Sequence, residues 1–501
     1  MTAGQPATTV APESRGAVLR FLDKFLVLKG AMRELWVVFV VKFLAIAAYA
    51  VMNSTLVLWL SSDLGYSDGQ AGWLVAAWSI SITALILVVG SLTDAIGFRK
   101  AFFLGTWVCV FARTVLVLTL SRSVALAVGL LPLALGEALG GPVLVASVRT
   151  YSNTRQRSIS FSLSYAMMNL GFALAAYLFD KLRHDLGEHG HFSLGVFGLN
   201  ISTYRMLFLV SLALEIAVLP FLYLIREGAE ATDEGVKISS QQVKCSDQPI
   251  WKSVWSTARD GARDSVRLFA GLFGQSGFYR LLAFLLLIAF IKLIYKQIDY
   301  IYPKFGIREL GDGAPIGKLT MINFLLIIPL APIVGALTQR FAAYKMVILG
   351  GALSAASVFI MAMPPAWFAP IADTGLARWL GYWCLGLQPP VHPYYVMIAL
   401  FQVVLSFGEA FYSPRVYEYA AAIAPKGQEA SYSALSYVPF LLAKVLVGTF
   451  SGFLLTNYCP EQGARHSETL WLFVALTASI APIGLLALRR YIRVHEAGRE
   501  G

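Results

Sequence analysis

Ionisable residues standing inside long apolar runs are the places where this sequence can do chemistry. Lys42, Arg113, Glu137, Glu215, Lys292, Lys296, Asp299, Glu409, Glu418 and Lys444 all interrupt such runs. A charge at the centre of a hydrocarbon layer costs about 2.5–3.5 kcal/mol on insertion scales, so each is a candidate for function or for a dedicated partner. A carboxyl held away from water can load and release a proton near neutral pH. Glu137 and Glu409 are therefore candidate proton or cation carriers, and Arg113 belongs to the same candidate set. Lys42 and Lys444 can attract an anionic group, although Lys42 lies close enough to the end of its run to snorkel. Lys296 and Asp299 stand three residues apart and can pair along one helix face. The plainer reading of every such residue is an ion pair that holds helices together.

The elements that must position these groups follow from composition. Of 501 residues, 57% are hydrophobic and only 14% charged, with a mean hydropathy of +0.66, beyond the roughly 45–50% apolar content of soluble domains. A membrane-spanning helix needs about 20 mostly apolar residues. Apolar runs punctuated by turn and charge signals place spans at about 35–60, 70–93, 100–121, 124–148, 158–180 and 204–225, then at 279–303, 316–339, 344–364, 394–422, 430–457 and 467–489. The predicted architecture is an all-α integral membrane protein with twelve spans in two pseudo-symmetric six-helix bundles. Its expected divisions are a tail over 1–34, a bundle over 35–225, a linker over 226–278, a second bundle over 279–490 and a tail over 491–501.

Charge placement orients the chain. The net charge of +11 is carried largely by segments such as Arg99, Lys100, Arg155, Arg157, Arg226, Arg340, Lys345, Arg489 and Arg490, which the positive-inside bias assigns to the cytoplasm together with both termini. That placement argues for a lipid bilayer and against nucleic acid as the partner. The expected location is the plasma membrane or a bacterial inner membrane, and no cleaved signal peptide is expected. Within the linker, Trp251, Val254, Trp255, Ala258, Ala262, Val266 and Phe269 recur at helical spacing, as expected of an interfacial helix or of one packed on the protein's own loops. The four cysteines suggest neither a disulfide scaffold nor a metal site; Cys384 and Cys459 would share the outer face, where a disulfide is one option. His184, His189 and His191 form only a weak candidate for metal binding, and no metal or cofactor is expected.

Two stretches echo each other. Gly90-Ser91-Leu92-Thr93-Asp94-Ala95-Ile96-Gly97-Phe98-Arg99-Lys100 returns, weakened, as Gly335-Ala336-Leu337-Thr338-Gln339-Arg340-Phe341-Ala342-Ala343-Tyr344-Lys345, each after the second span of its half. A duplication of this kind puts a solute site near the midplane between bundles that rock about it. Gly90-x-Leu92-x-Asp94-x-x-Gly97-x-Arg99-Lys100 resembles the signature loop of the major facilitator superfamily. Its glycines permit a tight turn, and Asp94, with Arg99 and Lys100, can latch the halves in one state.

A narrower resemblance lies in Arg157-Ser158-Ile159-Ser160-Phe161-Ser162-Leu163-Ser164-Tyr165-Ala166-Met167-Met168-Asn169-Leu170-Gly171, which looks like the fifth-helix signature of the proton-dependent oligopeptide transporter family and adds Tyr165 and Asn169 to the candidates. Leu56-Val57-Leu58-Trp59-Leu60-x-x-Asp63-Leu64-Gly65 is similar to the end of that family's first helix, and Gly408-Glu409-x-x-x-Ser413-Pro414 to its tenth. The resemblance implies proton-coupled transport of peptides or a related solute, with Glu409 facing the cavity. The chain departs from the pattern elsewhere. The acidic pair and arginine of the family's first helix fall at Lys42, Ala45 and Ile46, its fourth-helix lysine at Gly141, and its acidic seventh-helix position near Lys296. An unusual solute is the expectation.

Glu137 sits in Leu135-Gly136-Glu137-Ala138-Leu139-Gly140-Gly141-Pro142, the pattern of a helix interrupted beside a cavity. Tyr49, Tyr165, Tyr295, Tyr300 and Tyr437 can line the path or simply pack. The functional expectation is a monomeric secondary transporter, working by alternating access with protons and a small solute as partners. An exporter or importer of an anionic or amphipathic solute is one alternative, and a receptor or scaffold on the same fold is another. A membrane enzyme is disfavoured, because the histidines gather in loops and the tail, and no Gly-x-x-x-x-Gly-Lys loop marks a nucleotide site.

Overall fold

The computed structural model describes residues 28–96, 98–194, 199–226, 228–232, 235–238, 259, 276–338, 341–423 and 438–493. Among these, the long helices are α1 (Arg33–Ser62), α2 (Asp68–Ile96), α3 (Phe98–Leu118), α4 (Leu131–Thr150), α5 (Thr154–Leu186), α6 (Thr203–Tyr223), α7 (Ser276–Tyr300), α8 (Ile316–Leu337), α9 (Ala343–Met361), α10 (Pro393–Ile423), α11 (Val438–Tyr458) and α12 (Ser467–Ala487). Eleven helices among the described residues are long and apolar enough to cross a membrane, and α11 occupies the place of the remaining predicted span. Large apolar side chains such as Trp107, Phe111, Leu131, Phe453 and Ile483 stay exposed on the outward faces, which suits a lipid surround.

Where the helices depart from the apolar runs, a local cause is visible. The helix α5 continues to Leu186 through Lys181, Arg183 and Asp185, since Arg183 is buried against an acidic partner rather than solvated. The seventh run divides at Ile301, because Pro303 near the start of a short helix, Tyr302–Leu310, supplies no backbone N–H and so begins a new element. The helix α4 runs unbroken through Pro142, contrary to the expected interruption, as prolines are tolerated inside membrane-spanning helices. The irregularity lies instead at its start, in the π-helical stretch Ala125–Leu130. Small antiparallel hairpins add β1 (His191–Leu194) with β2 (Leu199–Ser202), and β3 (Ala229–Thr232) with β4 (Gly235–Ile238), the second inside what reads as a plain polar linker. The proposed interfacial helix around Trp251–Phe269 lies outside the described residues.

Helix pairing displays the duplication directly. In the first half α1 packs on α5 and α6, α3 on α4 and α6, and α2 on α4. Six helices later the same pairs return: α7 on α11 and α12, α9 on α10 and α12, and α8 on α10. The halves meet through α2 against α11 and α5 against α8, contacts that the same operation exchanges. Glycines set the closest approaches. A Cβ on Gly350 of α9 would lie 2.6 Å from the Gly408 carbonyl of α10, and one on Gly408 2.8 Å from the Gly350 carbonyl. Across the halves, a Cβ on Gly452 of α11 would collide with the backbone of Gly69 in α2.

The buried core is asymmetric along the bundle axis. At the end where α1 gives way to α2, here termed distal, one cluster joins both halves and contains Leu56, Trp59, Val75, Tyr300, Phe305, Phe401 and Trp471. At the opposite end, among the described residues, the two larger clusters each belong to one half, one around Leu35, Phe102, Val148 and Leu222, the other around Phe284, Tyr344, Tyr419 and Leu485, while a small cluster around Ile327, Val334 and Ala410 takes in Tyr165 of the first half. The molecule is thus sealed across its halves distally.

Candidate functional site

The ionisable side chains of the apolar runs converge on the middle of the bundle in distinct arrangements. Within the first half, Arg113 of α3 is fully buried and reaches Glu137 of α4 at 2.7 Å and Glu215 of α6 at 3.2 Å. Its Nε donates to Ser211 Oγ at 2.9 Å, and Ser211 Oγ donates to the Ala48 carbonyl at 2.6 Å. Two carboxyls share one guanidinium with three of the bundle's helices tied together. Such an arrangement is costly to break, because removing one partner leaves uncompensated charge in a low-dielectric interior.

Glu409 of α10 is placed differently. Asn323 Nδ2 of α8 donates to its Oε2 at 3.2 Å, and the Tyr165 hydroxyl of α5 donates to its Oε1 at 3.4 Å, across the boundary between the halves. Lys292 of α7, buried, lies within electrostatic range of Glu409 and stands over the rings of Tyr412 and Tyr295 at 4.8 and 5.6 Å. Gly408 explains the orientation: its close backbone contact with α9 fixes the roll of α10, which turns the next residue toward the other half.

One turn along α7, Lys296 pairs with Asp299 at 2.6 Å, realising the pairing that their spacing suggests. Lys444 of α11 lies within electrostatic range of that pair, and its Nζ donates to the Ser79 carbonyl and Thr83 Oγ1 of α2 at 2.9 and 3.0 Å. Lys42 of α1 donates to Ser164 Oγ of α5 at 2.8 Å rather than snorkelling away. These residues form a polar belt running from Lys42 and Ser164, through Tyr165 and Glu409, to Lys292, Lys296 and Lys444.

Other candidates fall elsewhere. Asn169 spends its amide on the Tyr165 carbonyl at 2.9 Å, one turn back on the same helix, and is buried. Tyr49 stacks on Trp78, with ring centroids 6.1 Å apart. Of the latch residues, Arg99 stands over the Phe103 ring at 5.8 Å and Lys100 is exposed. Gly97 and the side-chain surroundings of Gly90 and Asp94 lie outside the description, as do Tyr437 and the Glu418 side chain. Among the described residues no group of three or more metal-ligating side chains comes together, so His184, His189 and His191 remain scattered. Cys109, Cys384 and Cys459 are free thiols, with Cys384 exposed and Cys459 buried, and Cys245 lies outside the described residues.

A second functional set escaped the sequence reading. At the distal end Asp68 of α2 accepts from Lys304 and, at 2.8 Å, from Arg308, both on the short helix Tyr302–Leu310 of the other half. Lys304 also donates to Ser61 Oγ at 2.6 Å, and Arg308 to the Cys459 carbonyl at 2.7 Å. Asp180 of α5 accepts from the backbone N–H groups of Gly317 and Lys318 at 2.9 and 2.5 Å, so a carboxylate caps the positive end of α8 across the halves. Glu188 accepts from Arg183 at 2.5 Å, from the Tyr204 hydroxyl at 2.6 Å and from Gly313 N–H at 3.2 Å. Burial alone would raise the Glu188 carboxyl, but these donors, led by Arg183, hold it below its ordinary value. Asp63, hydrogen-bonded to Ser202, is instead pushed up by burial. Lys304 is pushed down by burial against the pull of Asp68. The one signal available in the sequence was Lys304 and Arg308, four residues apart just behind Pro303, which puts two cations on one face of a short helix.

Comparison with known proteins agrees with this geometry. The family model of the Major Facilitator Superfamily matches residues 38–377. The chain belongs to the Major Facilitator Superfamily, a family of membrane transporters rather than enzymes. No curated protein sequence matches it significantly. Among solved structures, one described under substrate recognition in proton dependent oligopeptide transporters superposes with a TM-score of 0.67 at 16% identity, covering 92% of this chain and 98% of the other. A peptide transporter in complex with sulfate gives a TM-score of 0.64 at 17% identity, with 94% and 98% covered. An oligopeptide-family transporter in complex with 5-aminolevulinic acid gives 0.63 at 16% identity, with 92% and 97% covered. The fold is therefore shared with those transporters along nearly its whole length.

Proposed function

We propose that this protein is a proton-coupled secondary transporter of a small charged organic solute, working by alternating access around the belt centred on Glu409. The observation that carries the proposal is the Tyr165 hydroxyl donating to Glu409 across the two halves, in a bundle whose halves share one large buried cluster distally. When Glu409 is ionised it attracts Lys292 and accepts from Asn323 and Tyr165. Protonation removes the charge, weakens the Tyr165 bond and lets the half carrying α10 swing away from α5. Opening the distal end requires Asp68 to part from Lys304 and Arg308, and Asp180 from the start of α8. Solute and proton exchange at the belt supply the free energy that biases those steps.

The moving bodies in this reading are the bundles over 35–225 and 279–490, joined by the linker over 226–278. The positive-inside bias supports a distal end outside the cell with both termini in the cytoplasm, and the membrane we propose is the plasma or bacterial inner membrane. A single chain contains the complete belt, so a monomer is the functional unit. The similarity to transporters described as handling oligopeptides and 5-aminolevulinic acid supports a solute of that size. The test is solute uptake into proteoliposomes under an imposed proton gradient. Accumulation that collapses with the gradient, and in Glu409→Gln, supports the reading; uptake indifferent to both refutes proton coupling through Glu409.

A further inference from the structure

We propose that the transported solute is net anionic, and that Lys42 and Lys444, one from each half, take its acid groups. This inference rests on the transport reading above and names the class of solute. The argument starts from which charges of the belt are already answered by the protein. Lys296 has Asp299 at 2.6 Å. Arg113 has Glu137 and Glu215. Lys292 and Glu409 lie within range of each other.

Lys42 differs from all of these, and among the described residues the acid within electrostatic range of Lys444 is Asp299, already bonded to Lys296. The only acceptors that the structure gives them among the described residues are neutral: Ser164 Oγ for Lys42, and the Ser79 carbonyl and Thr83 Oγ1 for Lys444. An ammonium has three N–H donors, so Lys42 keeps two and Lys444 keeps one for a ligand. A charge held inside a membrane span is costly, and an oxyanion is the group that offsets that cost most directly. Ser164 is the neighbour of Tyr165, which contacts Glu409, while Lys444 lies beside Lys296 and Asp299, so both lysines open onto the same belt. A carboxylate and a phosphate group satisfy an ammonium equally well, and the chemistry shared by them is what the site selects.

The Lys444 bonds carry a further consequence. Both run from α11 to α2, one of the two seams between the halves. A solute that draws the ammonium away from Ser79 and Thr83 removes that fastening, so binding of the anion itself loosens the contact that must yield in transport.

The experiment uses the purified full-length chain and three net-anionic probes, succinate, N-acetylalanine and inorganic phosphate, beside the zwitterion alanylalanine. Ligand-dependent shifts of the thermal midpoint give apparent affinities, and gradient-driven uptake into proteoliposomes gives transport. At least one anion is expected to bind and accumulate in preference to alanylalanine, with Lys42→Gln and Lys444→Gln each weakening it at least tenfold and Lys444→Arg retaining it. Which anion responds separates carboxylate from phosphate. Anion binding that survives both glutamine substitutions, or the absence of binding by all three anions, overturns the proposal. Accumulation of alanylalanine in wild type and both variants alike overturns it while leaving the transport reading intact. Lysine-dependent anion binding without gradient-driven movement of any probe leaves the anion site standing and defeats the transport reading instead.

Discussion

Glu137 and Glu409 occupy corresponding helices of the two halves, the fourth and the tenth, and both are glutamates inside apolar runs. Their surroundings have diverged. Glu137 is held by Arg113, which also meets Glu215, so its partners all belong to one bundle. Glu409 has Asn323 and Lys292 from its own half and Tyr165 from the opposite half. Relative motion of the halves leaves the first cluster untouched and must rearrange the second. Position in a duplicated fold sets how deep a carboxyl lies; the neighbours decide whether its charge fastens helices or takes part in a cycle.

The contrast can be broken from either side. Arg113→Leu leaves Glu137 and Glu215 buried without their cation and should destabilise the protein by about 3–5 kcal/mol, read as a large fall in the thermal midpoint of the purified protein; a fall equal to that of Glu409→Gln would erase the distinction. Glu409→Gln takes away the negative charge that Lys292 faces and should lower the midpoint by less than Arg113→Leu, which strands two carboxyls, while lowering gradient-driven accumulation by about tenfold or more, the effect of roughly 1.4 kcal/mol on a rate. Solute exchange without a gradient should persist in that variant.

Smaller effects concern the distal lock. Gly452→Ala sets a methyl against the Gly69 backbone and should cost about 1–3 kcal/mol of distal closure. The buried thiol of Cys459 reports it: alkylation of Cys459 should accelerate while that of exposed Cys384 does not. Removing the charge that caps α8, in Asp180→Asn, should raise Cys459 alkylation more modestly, by the roughly 0.3–1 kcal/mol of a charge at a helix end.

The smallest effect is acidic. The carboxyl of Glu188 is held below its ordinary value of 4.5, so its contribution is complete above that pH and is lost as pH falls through the lowered native value. The thermal midpoint should therefore lose a component only below about pH 4.5, and Glu188→Gln should remove that component. A loss that Glu188→Gln removes but that is already under way at pH 6 would contradict the geometry.

Legibility in the sequence tracked how unusual a residue is in its setting. A glutamate or lysine within an apolar run is conspicuous, so Glu409, Glu137, Arg113, Lys42, Lys296 and Lys444 were all visible before any coordinates, and the apolar runs themselves located the helices. Which acid meets which base was not visible, because Arg113 pairs with Glu137 of the next long helix and Glu215 of a more distant one, a choice that only packing makes. The lock was hidden for the opposite reason. Asp68, Asp180, Glu188, Lys304 and Arg308 lie near the ends of spans, where charges are ordinary and solvation is the default expectation. Asn169, conspicuous within a signature stretch, donates to the Tyr165 carbonyl of its own helix.

The glycine contact between α9 and α10 has a consequence for observing this protein at work. With Gly350 and Gly408 pressed backbone to backbone, a roll of α10 against α9 would bring the two backbones into collision, which ties the placement of Glu409 to both helices. Any change in its separation from the Tyr165 hydroxyl then reports the angle between the halves. That one oxygen-to-oxygen span, 3.4 Å here, serves as a caliper whose jaws belong to different bundles.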